Sequence, residues 1–199
     1  PNYSFFEAGR SGVTFIEAME ISKKLETEVN SQFQILYLNE NDFYESISEI
    51  HRYSDRFQIS VDKNLLLESQ LKASFIKKIL YNFKLLYFLY LKFPLFIKSQ
   101  NKGEFVETTN QTDKFDKLKL EKLFKYCSTN YNLGIKFFVF HPSTDERIVT
   151  MANIYGIKTL LLNSEEDKDW SLGEYDGHWS CYGHNRISKQ VGEFILEIL

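Results

Sequence analysis

A chain of 199 residues can bury a real core as one domain, and its 43% apolar and 16% aromatic content excludes a disordered chain. The net charge of −3, with Lys and Asp/Glu interspersed, excludes the concentrated basic face that nucleic acid requires. The two cysteines, Cys127 and Cys181, are too few for a disulfide framework and read as free thiols.

Ser4 to Phe6 reads as a short strand ending at the turn Gly9-Arg10-Ser11-Gly12. From Thr14, Phe15, Met19, Ser22, Leu25 and Val29 recur at nearly helical spacing. Phe33 to Leu38 reads as a buried strand, with Asn39-Glu40-Asn41-Asp42 as the loop at its carboxyl end. Residues 43 to about 113 fit less well, and we read 43–113 as a helical insertion or lid, with a long apolar helical stretch from Leu65 to Ile97. The most apolar part, Leu85 to Ile97, contains Lys92 and Pro94 and is too short to span a membrane.

The later chain alternates clearly. Leu120, Leu123, Phe124, Cys127 and Tyr131 mark one helix face, with Gly134 as its stop. Ile135 to Phe140 is an apolar strand ended by His141-Pro142. Ser143-Thr144-Asp145-Glu146 reads as a helix start with capping side chains, and that helix ends at Gly156. Ile157 to Leu162 is a third buried strand. The last helix is expected from about Asn185, with Ile187, Val191, Phe194, Ile195 and Ile198 on one face.

Helices alternating with continuous apolar strands imply an α/β fold with a parallel sheet covered on both faces. Ligands of such sheets sit at the carboxyl ends of the strands. The loops at Gly9–Gly12, Asn39–Asp42, His141–Ser143 and Asp176–His178 are then expected near one edge.

The chemistry concentrates in Tyr175-Asp176-Gly177-His178-Trp179-Ser180-Cys181-Tyr182-Gly183-His184. A neutral imidazole takes a hydroxyl proton, and a nearby carboxylate fixes its tautomer. This stretch resembles the Asp-x-His-Trp-Asn-x-x-Gly-His ending of the SGNH (GDSL-like) hydrolases, and the resemblance extends over nearly the whole chain. It implies a three-layer α/β/α sandwich of the flavodoxin-like kind, with His178 as general base and Asp176 as its partner. Asn41, in Asn39-Glu40-Asn41-Asp42, falls where the family's oxyanion-hole asparagine sits, although Asn39 stands in place of the family's leading glycine. Gly9, in Glu7-Ala8-Gly9-Arg10, matches the glycine whose backbone N–H is the second oxyanion donor. Glu7 stands where the family often has Asn.

The family's first block, Gly-Asp-Ser, does not occur in these residues. The chain begins at Pro1 rather than Met, no signal-peptide pattern follows, and an upstream strand and helix carrying the serine are expected. Ser11 sits in the second-block loop and Ser180 is too close to His178 along the chain, so neither replaces it. His141 and Trp179 are candidate pocket-lining residues; a solvated loop histidine before Pro142 is the favoured reading of His141, and a core position is an equal alternative for Trp179. Asp176, His178, Cys181 and His184 are all zinc-binding types, but Gly183 breaks their helical register and no common zinc spacing is met, so no metal is expected.

The resemblance implies acyl-ester hydrolysis or O-acyl transfer on a small-molecule or carbohydrate ester, without a cofactor. The other reading is a catalytically inactive binding or assembly module. The residues do not specify compartment or oligomeric state.

Overall fold

The computed structural model describes residues 4, 6–9, 12–53, 55–68, 115–164, 170–173 and 176–198. The chain divides into two units, residues 1–69 with 117–199, and residues 70–116. The fold below is that of the first unit. The part of the expected insertion from residue 69 to 113 lies outside the described residues.

Helix α1 (Phe15–Glu28) starts because Thr14 is extended and its hydroxyl accepts the Glu17 N–H. Phe15, Ile16 and Met19 form its fully buried stripe. Strand β1 (Gln34–Leu38) follows and leads into helix α2 (Glu40–Glu45). Strands β2 (Gln58–Ser60) and β3 (Leu65–Leu67) form an antiparallel hairpin. Helix α3 (Lys117–Asn130) and a 3₁₀ turn at Leu133–Ile135 precede strand β4 (Lys136–Phe140), all of whose residues are buried. Helix α4 (Glu146–Ile154) is capped by Asp145 and closed at Gly156, whose φ of +77° is the left-handed stop that glycine adopts freely. Strand β5 (Lys158–Leu161) follows, then an antiparallel pair, β6 (Ser171–Gly173) and β7 (Asp176–Trp179), and helix α5 (Cys181–Ile198).

The fold is a mixed α/β one built on a three-stranded parallel sheet in the order β1-β4-β5. One face carries an aromatic core. Phe15 of α1 stacks on Phe43 of α2 at 4.5 Å and meets Phe138 of β4 edge-on at 5.5 Å. Phe124 of α3 stacks on Phe43 at 5.6 Å, and Phe43 on Phe140 at 5.9 Å. Each such ring buries roughly 150–250 Å², so this cluster dominates the hydrophobic term. On the opposite face Phe137 meets Phe194 of α5, and Val139, Leu162 and Trp170 form a second cluster with Ile187 and Val191 packed on it.

Several expectations are corrected. Ser4 and Phe6 are not in a strand, and Phe6 is 71% exposed. Asn39–Asp42 is not an open loop, because α2 begins at Glu40. Residues 43–68 are not helical insertion. They hold the end of α2 and the β2–β3 hairpin, and Leu65–Leu67 is strand. The third helix stops at Asn130, before Gly134, which sits in the 3₁₀ turn. Asp176–His178 is strand rather than loop, and the last helix starts at Cys181, not Asn185.

Candidate functional site

Because β1, β4 and β5 are parallel, the residues that follow them share one edge. His141 N–H donates to Leu38 O at 2.9 Å, and Leu162 N–H to Phe140 O at 3.0 Å. Asn39 caps α2. Its Oδ1 accepts the N–H of Asn41 at 2.8 Å and of Asp42 at 3.3 Å, while Asp42 Oδ2 accepts the Asn39 N–H at 2.8 Å. This reciprocal cap is one that a glycine at position 39 could not make. Asn41 is the second residue of the helix and exposed at the edge.

Two long-range bonds, invisible in the sequence, join the loops there. Glu40 Oε2 accepts the Asp145 N–H at 3.3 Å, tying the start of α2 to the start of α4. Ser46 Oγ accepts the Ile16 N–H at 2.9 Å and donates to Asp42 O at 2.7 Å, tying the start of α1 to α2. Thr14 Oγ1 adds a bond to Phe57 O at 2.7 Å. The first turn of α1 is therefore held against the carboxyl end of α2. Gly12 has a φ of +72°, and Gly9 is exposed, with Glu7 Oε1 3.7 Å from where a Cβ would stand.

Burial pushes Asp42 up to about 6, with Glu45 adding to it and the bonds to Asn39 and the charge of Arg56 opposing it. A carboxyl whose folded value is raised costs stability while ionised, above about pH 6. The cost is relieved as pH falls toward its ordinary value near 4. Asp42→Asn keeps the acceptor and removes the charge. It should unfold at higher urea above pH 7, by on the order of 2 kcal/mol, with the difference vanishing near pH 4. Parallel stability–pH curves would refute this account.

His141 is half-buried, and burial holds its imidazole below the ordinary value. Its Nδ1 accepts the Ser143 N–H at 3.1 Å, so the 2.7 Å contact with Ser143 Oγ is a hydroxyl donated to the same nitrogen. His141 thus opens the turn into α4 at the carboxyl end of β4.

The motif at 176–184 is tied to the fold through its aromatic and small residues. Trp179 lies edge-to-face with Tyr37 of β1 at 4.9 Å, 6.1 Å from Trp170 and 5.3 Å from His184. It packs on the Val139–Leu162–Trp170 cluster, which makes it a core residue more than a pocket wall. Ser180 N–H donates to Trp170 O at 3.0 Å, and Ser180 Oγ accepts the Gly183 N–H at 3.0 Å, which starts α5. His178 is exposed on β7. Strand periodicity places positions 178 and 179 on opposite faces of β7, with Trp179 against the sheet. The structure thus brings Trp179 to β1, four residues before Asn41, while nothing among the described residues ties Gly9 directly to β7.

Gly183 is required by this junction. A Cβ there would stand 2.3 Å from Trp170 O and 3.3 Å from Trp170 C, both backbone atoms. Helix propensity alone favours Gly→Ala by about 1 kcal/mol. Here the sign should reverse, with Gly183→Ala losing about 2–3 kcal/mol. Gly192, in the same helix with nothing within 4 Å, is the control and should gain from the same change. Urea midpoints of the two variants decide it, and a stabilised Gly183→Ala would disprove the close approach.

Among the described residues no group of three or more His, Cys, Asp or Glu side chains is placed to hold a metal ion, and no helix is long and apolar enough to cross a membrane. No protein-family model, curated protein or solved structure matches this chain.

Proposed function

We propose that this unit is part of a serine-type acyl-ester hydrolase or O-acyltransferase, built as the three-layer sandwich of the SGNH kind. What supports the reading is the Trp179–Tyr37 contact, which sets β7 beside β1, the strand that leads to Asn41. His178 would take the proton of the attacking serine and return it to the leaving alkoxide. Asp176 would orient the imidazole, and Asn41 with the Gly9 N–H would hold the oxyanion. An acylated carbohydrate is the substrate class we infer.

The serine is assigned to a strand that completes the sheet beside β1. Among the described residues nothing pairs with that edge, and Ile35 and Tyr37 on one face of β1 remain 37% and 43% exposed while Phe137 and Val139 of β4 are covered. Uncharged, proline-free edge strands are ordinarily protected or paired.

A second reading, a binding module without catalysis, draws on the structural duties of Trp179, Ser180 and Gly183, which explain much of the motif without chemistry. Turnover of p-nitrophenyl acetate by protein that carries the serine strand separates the two. Hydrolysis that disappears in a folded His178→Ala variant supports the enzyme, and hydrolysis that survives it removes His178 from the mechanism.

A further inference from the structure

We propose that Tyr37 is a positioning residue whose ring, edge-to-face with Trp179, holds strand β7 against β1 and so sets where position 178 lies relative to Asn41. This rests on the hydrolase reading for its catalytic consequence, but not for its geometry. Tyr37 is the penultimate residue of β1, two before the cap Asn39. Its ring centroid lies 4.9 Å from that of Trp179 at an interplanar angle of 85°.

The other anchor of the β6–β7 pair is Trp170, which packs on Val139 and Leu162 of the neighbouring strands' side of the sheet. Trp170 therefore fixes the pair to β4 and β5, and Tyr37 fixes it to the strand that carries Asn41. Burial, and after it the carboxylate of Asp42, pushes the Tyr37 phenol above its ordinary value. A side chain 43% exposed on a sheet face contributes modestly to stability, so its role in placement can be separated from folding.

The test compares Tyr37→Phe, which keeps the ring, with Tyr37→Ile and Tyr37→Thr, which remove it and retain strand propensity. Amide hydrogen exchange of residues 176–179 should quicken in both ringless variants and not in Tyr37→Phe. Exchange within residues 185–198 should be unchanged. In protein that turns over p-nitrophenyl acetate, kcat should fall about 10- to 100-fold in the ringless variants with KM unaltered, and Tyr37→Phe should match the parent. Unchanged exchange in both ringless variants overturns the proposal whatever the activity. Absence of turnover in a parent that carries the serine strand refutes the hydrolase reading instead, and the exchange result still decides the role of Tyr37. Equal losses of kcat in Tyr37→Phe and the ringless variants would also overturn it, because the hydroxyl rather than the ring would then be responsible.

Discussion

Glu26→Leu should destabilise the fold by about 3–5 kcal/mol, whereas Lys136→Met, the other half of the same ion pair, should cost far less. Lys136 starts β4 with its side chain 0% exposed, and its ammonium donates to Glu26 of α1 and, at 3.0 Å, to Asn132 O. Glu26 is 21% exposed and borders water. Removing Glu26 strands a cation in the interior with one carbonyl for a partner. Replacing Lys136 with Met keeps the volume, and the Glu26 carboxylate turns to solvent. The asymmetry follows from which partner can reach water, since the desolvation penalty falls on the one that cannot. Urea titrations at neutral pH read the difference, and equal losses in the two variants would contradict it. The double variant Glu26→Leu/Lys136→Met should regain most of what Glu26→Leu loses. Lys136 sits at the amino end of β4, away from the edge where Asn39 and His141 lie, so these changes test the fold and not the proposed chemistry.

Lys136 also shows where the sequence was readable. Ile135 to Phe140 stood out as a strand because its apolar run is broken only by that lysine, and Glu26, which makes the lysine tolerable, is 110 residues away. The helices at Phe15 and Lys117 were legible from their stripes, and the one at Glu146 from its capping run and the stop at Gly156. The β6–β7 pair was not legible. Ser171-Leu172-Gly173 and Asp176-Gly177-His178-Trp179 lack β-branched residues and carry Asp and Gly, which are depleted in strands. Contacts of Trp170 and Trp179 with the sheet, not local preference, make them strand. Helix α5 starts at Cys181, four residues before local sequence suggests, because Gly183 signals a helix break locally and is instead the residue that fits against Trp170 O.

Around Asn39–Asp42 the bonds that hold the edge together were not legible. The pattern Asn-x-x-Asp at Asn39–Asp42 is a capping-box signal in its own right, and it starts α2 at Glu40. Ser46 to Ile16 spans 30 residues and Glu40 to Asp145 spans 105, with no local signature for either. Tyr37 looked like one more apolar residue of a buried strand, and only the sheet's face reveals that it meets Trp179.

His178→Ala should lower p-nitrophenyl acetate turnover by about 10²- to 10⁴-fold while leaving the unfolding free energy within about 0.5 kcal/mol of the parent. The first figure is what a positioned general base contributes, and the second follows from the side chain's exposure on β7. Asn41→Ala should cost about 10²- to 10³-fold in kcat, the loss of one oxyanion donor, again with little change in stability because Asn41 is exposed and the cap is made by Asn39 and Asp42. The two substitutions should not add. Once the base is gone the serine is a poor nucleophile, and most of the advantage of a placed oxyanion donor cannot be realised, so the double variant should resemble His178→Ala. A purely structural histidine predicts the reverse pattern: measurable loss of stability, and turnover that tracks the folded fraction. Calorimetry run beside the kinetics separates the two. A His178→Ala protein that is fully folded and fully active would end the catalytic assignment, and with it the claim that Asn41 and β7 serve one site.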